Sequence, residues 1–142
     1  MKGKRGKSRE AALKGLYQWQ LAGMEAKAIA SYLEQEEEFG KLDIPYFSTL
    51  LEGTIGGSEQ LKEALQPCLD RPFSELSPVE AAILLMGAYE LVHQADIPYR
   101  VVINEAVELA KRYGGTDGHK YVNGVLDKLA SRLRSSEFGN RP

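Results

Sequence analysis

The sequence predicts an all-α protein of six or seven helices, on three observations. Apolar residues recur at helical spacing along nearly the whole chain of 142 residues, and no run alternates apolar and polar side chains over a length that could build a sheet. The hydrophobic fraction of 43% and the charged fraction of 27% are typical of a globular chain with a real core. A linker with a proline at each end, residues 67–72, divides the chain near its middle and indicates two helical halves.

The first helix is predicted from a serine cap and a glycine end. Ser8 can cap its N-terminus, and Gly23 stands where a left-handed residue would end it. An apolar stripe between them should face the core. That side carries Ala12, Leu13, Leu16, Tyr17 and Gln20.

Two more segments complete the N-terminal half. Residues 25–38 are predicted to form a second helix, and its acidic far end should be a solvated face. Asp43 and Pro45 open a third helix, and its apolar spacing continues past Gly56 and Gly57. The glycine pair either kinks one long helix or separates two, and helix propensity alone leaves both alternatives open.

The C-terminal half begins with the strongest local signal in the chain. Ser77 is a favourable N-cap, Pro78 suits the first helical position, and Glu80 completes a capping box. The helix that they start should run to about His93.

Two further helices follow. Residues 96–98 interrupt the helical pattern, and the next helix should end at Gly114. The last helix should run from about Gly118 to Arg132, with a frayed tail after Ser135. Connections this short favour antiparallel neighbours.

The N-terminus is strongly basic, whereas the rest of the chain is acidic. Five positive charges precede the first acid, Glu10, and the remaining residues carry 13 basic and 20 acidic side chains, a net charge of −7. A cationic segment on an acidic body suits a polyanion such as RNA, because each neutralised phosphate releases counterions. A solubilising terminus with no partner is the alternative. The five cations are Lys2, Lys4, Arg5, Lys7 and Arg9.

Several function classes are disfavoured by the sequence. No apolar run approaches the ~20 residues that cross a bilayer, and the N-terminus is unlike a signal peptide, so we expect a cytoplasmic protein. Cys68 is the only cysteine, and His93 and His119 are the only histidines, so we expect neither a disulfide nor a metal site. We also expect no catalytic residues and no cofactor, because no nucleophile elbow or phosphate-binding glycine loop occurs.

The segment 117–123 groups side chains that suit an unpaired RNA base. Asp117 and His119 could suggest acid–base chemistry, but a helix-terminal acid and a capping or surface histidine explain them better. Tyr121 could stack on a base, and Asn123 could hydrogen-bond to it.

Three blocks of the sequence resemble the NusB family. They are residues 9–20, residues 76–91, and residues 96–111 with their continuation at residues 119–128. The resemblance extends from about residue 5 to residue 133, and it implies one domain made of two packed three-helix bundles. The implied parts are a flexible basic arm at 1–9, helical bundles at 10–66 and 67–135, and a tail at 136–142.

The resemblance implies a transcription antitermination factor and not an enzyme. Family members bind the single-stranded boxA element of nascent ribosomal RNA as a heterodimer with NusE, a small-subunit ribosomal protein, and the pair joins RNA polymerase. The five N-terminal cations match the family's RNA-binding arm. The remaining candidates for the RNA surface are Tyr17, Lys111, Asp117, Lys120, Tyr121 and Asn123. The candidate acidic anchors for NusE are Glu75, Glu80 and Glu90.

Two other interpretations compete with this one. The N-terminal domain of ribosomal RNA cytosine methyltransferases resembles NusB, but it precedes a catalytic domain that binds a methyl donor. A helical bundle that binds only proteins would leave the basic arm without RNA. The sequence also leaves open whether the chain forms a homodimer.

Overall fold

The computed structural model describes residues 3–138, apart from the side chains of residues 37, 38 and 138. All regular structure in this part of the chain is helical, which confirms the all-α prediction. The chain forms two compact units that divide between Gly57 and Ser58. No helix within residues 3–138 is both long and apolar enough to span a bilayer.

The first unit contains three α-helices and one 3₁₀ turn. Its helices are α1 (Lys4–Ala22), α2 (Ala26–Leu33) and α3 (Ile44–Gly56), with the 3₁₀ turn at Glu37–Lys41. Helix α1 packs against both α2 and α3, and their apolar stripes meet in a small core. The fully buried side chains of this core include Leu16, Ile29, Phe47, Leu50 and Leu51.

Helix α1 begins earlier than the sequence predicted. Its N-cap is Gly3, whereas Ser8 lies inside the helix and is fully buried. The Ser8 hydroxyl donates to the Lys4 carbonyl oxygen at 2.8 Å and accepts from the Asp43 N–H at 2.8 Å. The prediction of Ser8 as the N-cap was therefore wrong, because its hydroxyl serves the start of α3. Gly23 does end the helix in the left-handed conformation, as expected.

Most of the arm predicted to be flexible, at residues 1–9, is helical. Residues 4–9 are helical, so the basic segment described by the structure is the first turns of α1. Residues 1 and 2 lie outside the described residues.

The second unit is arranged around one nearly enclosed helix. Its helices are α4 (Ser58–Leu65), α5 (Pro78–His93), α6 (Tyr99–Tyr113), α7 (Gly118–Leu133) and the short α8 (Ser135–Phe138), with 3₁₀ turns at Gln66–Cys68 and Phe73–Glu75. Helix α5 contacts α4, α6 and α7, and every residue from 81 to 88 is buried. The predicted cap is confirmed, since the Glu80 N–H donates to Ser77 Oγ at 3.2 Å and Pro78 is the first helical residue.

The boundary between the units falls earlier than the predicted division after residue 66. The glycine pair separates two helices, because α3 ends at Gly56 and α4 begins at Ser58. The predicted linker instead belongs to the second unit, where Cys68 is buried. The second unit consequently has α4 and α8 in addition to three long helices.

The chain after α7 is held by a buried arginine. Arg134 donates to the carbonyl oxygens of Leu91 at 3.0 Å and Ile97 at 2.9 Å, and it forms an ion pair with Glu137. These bonds satisfy backbone acceptors at and beyond the end of α5, where no helical N–H is available. Residues 135–138 of the predicted tail region form the short helix α8, and residues 139–142 lie outside the described residues.

Candidate nucleic-acid interface

The cations in the first turns of α1 differ in their exposure to solvent. Lys4 and Arg5 are exposed, Lys7 is half-buried, and Arg9 is only 5% exposed. Lys2, the remaining predicted member, lies outside the described residues. The basic segment therefore offers three accessible positive charges on a helix.

Arg5 and Arg9 both contact the ring of Tyr46 on α3. The Cζ atom of Arg5 lies 4.3 Å from the ring centroid, and that of Arg9 lies 5.5 Å from it. Both distances permit cation–π attraction. Arg5 also pairs with Asp43 at 3.9 Å and keeps about half of its side chain exposed. The prediction of Arg9 as a phosphate ligand is corrected, because its guanidinium is packed inside the unit.

Tyr17 lies further along α1 on an accessible face. Its side chain is 39% exposed, and the exposed Lys14 precedes it by three residues, so the two are helical neighbours. Lys7 and Lys14 also line a cleft of about 130 Å³ whose apolar walls include Leu33 and Phe39. Lys14 was not among the predicted residues, although its spacing from Tyr17 could have indicated it.

A three-residue cluster in the second unit joins the linker to α7. Asp70 Oδ1 accepts hydrogen bonds from Arg71 Nε at 2.7 Å and from the Tyr121 hydroxyl at 3.0 Å, while Asp70 Oδ2 accepts from Arg71 Nη2 at 3.1 Å. The Cζ atom of Arg71 lies 4.7 Å from the centroid of the Tyr121 ring. Asp70 and Arg71 are exposed. The cluster thus places a guanidinium over an aromatic ring at the surface.

The cluster shifts the proton affinities of its members. Hydrogen bonds from Arg71 and Tyr121 lower the pKa of Asp70 to about 2. The hydrogen bond to Asp70 raises the pKa of Arg71, and partial burial together with the same carboxylate raises the pKa of Tyr121. At neutral pH the cluster therefore holds an ionised carboxylate, a guanidinium and a protonated phenol.

The start of α7 carries three more predicted residues. Asp117 occupies the N-cap position with φ of 64°, and its exposed carboxylate pairs with Lys120 at 3.4 Å. Asn123 is exposed one turn further on. A β-carbon on Gly118 would lie 2.8 Å from Glu80 Oε2, so glycine permits close approach between the starts of α5 and α7.

Lys111 stands on a different helix. It is exposed near the C-terminal end of α6 and pairs with Glu108 at 3.8 Å. A cation at a helix C-terminus also complements the helix dipole.

These surfaces offer binding groups, and the described residues contain no group of three or more His, Cys, Asp or Glu side chains that could hold a metal ion. The profile of the NusB family matches residues 6–131, which is most of the chain. The chain belongs to the NusB family.

Curated NusB relatives are similar to this chain over most of their length. The transcription antitermination protein NusB of Nitrosospira multiformis is 63% identical over 131 residues, which cover 92% of this chain and 83% of the relative. That of Thiobacillus denitrificans is 52% identical over 138 residues, covering 97% and 95%. This NusB-family chain is a transcription antitermination factor and not an enzyme.

Solved NusB structures share the fold. NusB of T. maritima superposes with a TM-score of 0.84 at 28% identity, covering 98% of this chain and 99% of that one. A structure of antitermination factors NusB and NusE in complex with dsRNA gives a TM-score of 0.82 at 24% identity, covering 89% and 96%.

The acidic residues predicted to anchor a NusB partner fall into three environments. Glu75 is exposed and Glu80 is half-buried. Glu90 is only 2% exposed, so its prediction as a surface anchor is wrong. The reason is that α5 is enclosed by neighbouring helices on nearly every side, which leaves no solvated face at that position.

Sequence reasoning did not find Asp70 or Arg71. Both lie in the segment that the sequence predicts as a linker, and 51 positions separate Asp70 from its partner Tyr121. The only local signal was an arginine beside an acid just before Pro72, which by itself is common in loops.

Proposed function

We propose that this NusB-family protein binds the single-stranded boxA element of ribosomal RNA transcripts together with NusE, and so supports processive transcription by RNA polymerase. The observation that carries the proposal is the Asp70–Arg71–Tyr121 cluster, which presents a cation and an aromatic ring beside the polar start of α7. The names of the NusB relatives support the antitermination role, and the NusB–NusE complex with dsRNA supports a partnership with NusE and RNA. Such a role places the protein in the cytoplasm.

Phosphates would be contacted by the start of α1. Lys4, Arg5 and Lys7 remain accessible there, whereas Arg9 is packed against the unit. Backbone contacts of this kind position RNA and make its affinity depend on salt, but they carry little sequence information.

Base recognition would rest on the second unit. Tyr121 with Arg71 across its ring forms a cationic stacking surface, and Asn123 offers both a donor and an acceptor to a base edge. Lys120, Asp117 and Lys111 would complete the polar surround, while Tyr17 would offer a further ring on the first unit.

NusE would be held in part by acidic groups. A ribosomal protein is usually basic, and the exposed Glu75 with the half-buried Glu80 gives it two carboxylates. Replacing both by lysine should weaken NusE binding. Unchanged NusE affinity would remove these residues from the interface.

A triple variant tests the role of the basic helix start. Alanine at Lys4, Arg5 and Lys7 should weaken binding to a fluorescein-labelled boxA RNA. It should also reduce the slope of log affinity against log salt concentration by about 2, because each phosphate contact on a single strand contributes about 0.7 to that slope. The measurement is fluorescence anisotropy at several salt concentrations, on protein whose helicity is checked by circular dichroism.

A matched triple variant provides the control. Lys27, Lys128 and Arg132 carry the same total charge and are exposed, but they belong to α2 and α7 instead of α1. Their replacement by alanine should change the salt slope much less. Equal slopes for the two triple variants would show that the start of α1 has no special role.

A further inference from the structure

Asp70 occupies the Nε and Nη2 edge of the Arg71 guanidinium. The carboxylate binds the Nε and Nη2 edge of the guanidinium through two hydrogen bonds, of 2.7 and 3.1 Å. That edge fits any planar or tetrahedral oxyanion with two acceptor oxygens, and a phosphodiester is such a group. The carboxylate therefore fills an edge that a phosphate group also fits.

The Asp70–Arg71 ion pair is of a kind that another anion can displace. Asp70 and Arg71 are both exposed, with side chains 63% and 44% accessible. Ion pairs at such positions contribute little to stability, because water screens them. Tyr121 also donates its hydroxyl to Asp70, so the ring beneath Arg71 is tied to the same carboxylate. A second carboxylate, Glu80, adds to the negative potential that Arg71 experiences.

We propose that Arg71 is a phosphate ligand for single-stranded RNA and that Asp70 is its built-in competitor, which fills the guanidinium edge until an RNA phosphate replaces it. The inference rests on the proposed RNA-binding function and names a contact within that same surface. It requires no movement of a helix, since only the exposed Asp70 side chain has to turn away. The Tyr121 hydroxyl is released in the same step.

The test uses Asp70→Asn, which keeps the shape of the side chain and removes its charge. We expect RNA affinity to rise about three- to tenfold and the salt slope to steepen by about 0.7, because one more uncompensated cation meets the strand. Asp96→Asn is the control, since Asp96 is an exposed carboxylate of the same unit in the turn before α6. It should change both quantities much less.

A double-mutant cycle separates competition from a general charge effect. In an Arg71→Ala background the gain from Asp70→Asn should disappear, because the edge for which the carboxylate competes is gone. An equal gain in both backgrounds would overturn the proposal. A loss of affinity in Asp70→Asn alone would also overturn it, and would make Asp70 a residue that positions Arg71 for RNA.

A second measurement tests the competition between Asp70 and phosphate without boxA RNA. The Nε–Hε resonance of Arg71 is followed by NMR while inorganic phosphate is added to the full chain. Asp70→Asn should reach half of its shift at a several-fold lower phosphate concentration than the wild type, and identical titrations would contradict the competition. If the wild type fails to prefer boxA over scrambled RNA, the proposed function falls, while this titration still decides the role of Asp70.

Discussion

At the scale of single residues, the surface cluster makes a clear prediction about pH. The folded protein holds the pKa of Asp70 at about 2, against an ordinary value of 3.8, because Arg71 and Tyr121 hydrogen-bond to the ionised carboxylate. Because the pKa is lower in the folded protein, the stabilisation that the cluster contributes to folding is fully present above pH 3.8 and is lost as pH falls towards 2. Asp70 therefore stays ionised around neutral pH, and its titration should not change RNA binding there.

The titration of Asp70 can be followed through its carboxyl carbon shift. Between pH 7 and pH 3 this shift should stay nearly constant in the wild type, whereas in Arg71→Ala it should begin to titrate within that window. Arg132→Ala, a change at an exposed arginine elsewhere in the unit, should behave as the wild type. A wild-type carboxyl that titrates near its ordinary value would show that the cluster does not form in solution.

Arg134 makes a second prediction at this scale, on stability. Replacing it by methionine leaves buried carbonyl oxygens of Leu91 and Ile97 without their donor, which should cost about 2–4 kcal/mol. The exposed Arg132→Met should stay within about 0.5 kcal/mol of the wild type. Urea unfolding followed by circular dichroism measures both, and equal midpoints for the two variants would refute the structural role of Arg134.

At the scale of elements, Ser8 links the start of α1 to the start of α3. Its Oγ is the acceptor for the Asp43 N–H at 2.8 Å, and the side chain is fully buried. Ser8→Ala should cost about 1–3 kcal/mol, because a backbone donor is left unpaired. Hydrogen exchange should locate the effect at the amide of residue 43.

The exposed Ser31 in α2 supplies the comparison for Ser8. Ser31→Ala should leave both the unfolding midpoint and the exchange rate at residue 43 unchanged. If Ser8→Ala also left that amide equally protected, the link between α1 and α3 would have to be abandoned.

Local sequence signals predicted the elements well wherever a short-range bond decides the outcome. The Ser77 cap with Pro78, and the left-handed Gly23, depend only on neighbours in the chain, so their patterns sufficed. The prediction of Ser8 as the N-cap of α1 failed, because its hydroxyl instead bonds to the backbone at the start of α3, 35 positions away. Local propensity cannot reveal such a long-range demand.

At the scale of the whole molecule, the fold class and the family followed from the sequence, whereas the composition of the site did not. Periodicity alone indicated helices, but the burial of Arg9 and Glu90 depends on which helices enclose them. The contact of Asp70 with Tyr121 joins residues far apart in sequence, so no spacing pattern could show it. The proposed RNA surface therefore loses the buried Arg9 and gains Arg71.

We propose that this chain recognises boxA RNA in partnership with NusE. The most direct measurement is fluorescence anisotropy of a labelled boxA RNA and of a scrambled RNA of the same length, with and without NusE, at two salt concentrations. We expect a preference for boxA that strengthens when NusE is added. Equal and steeply salt-dependent binding to both RNAs, unaffected by NusE, would contradict it and leave a nonspecific cationic helix on an all-α scaffold.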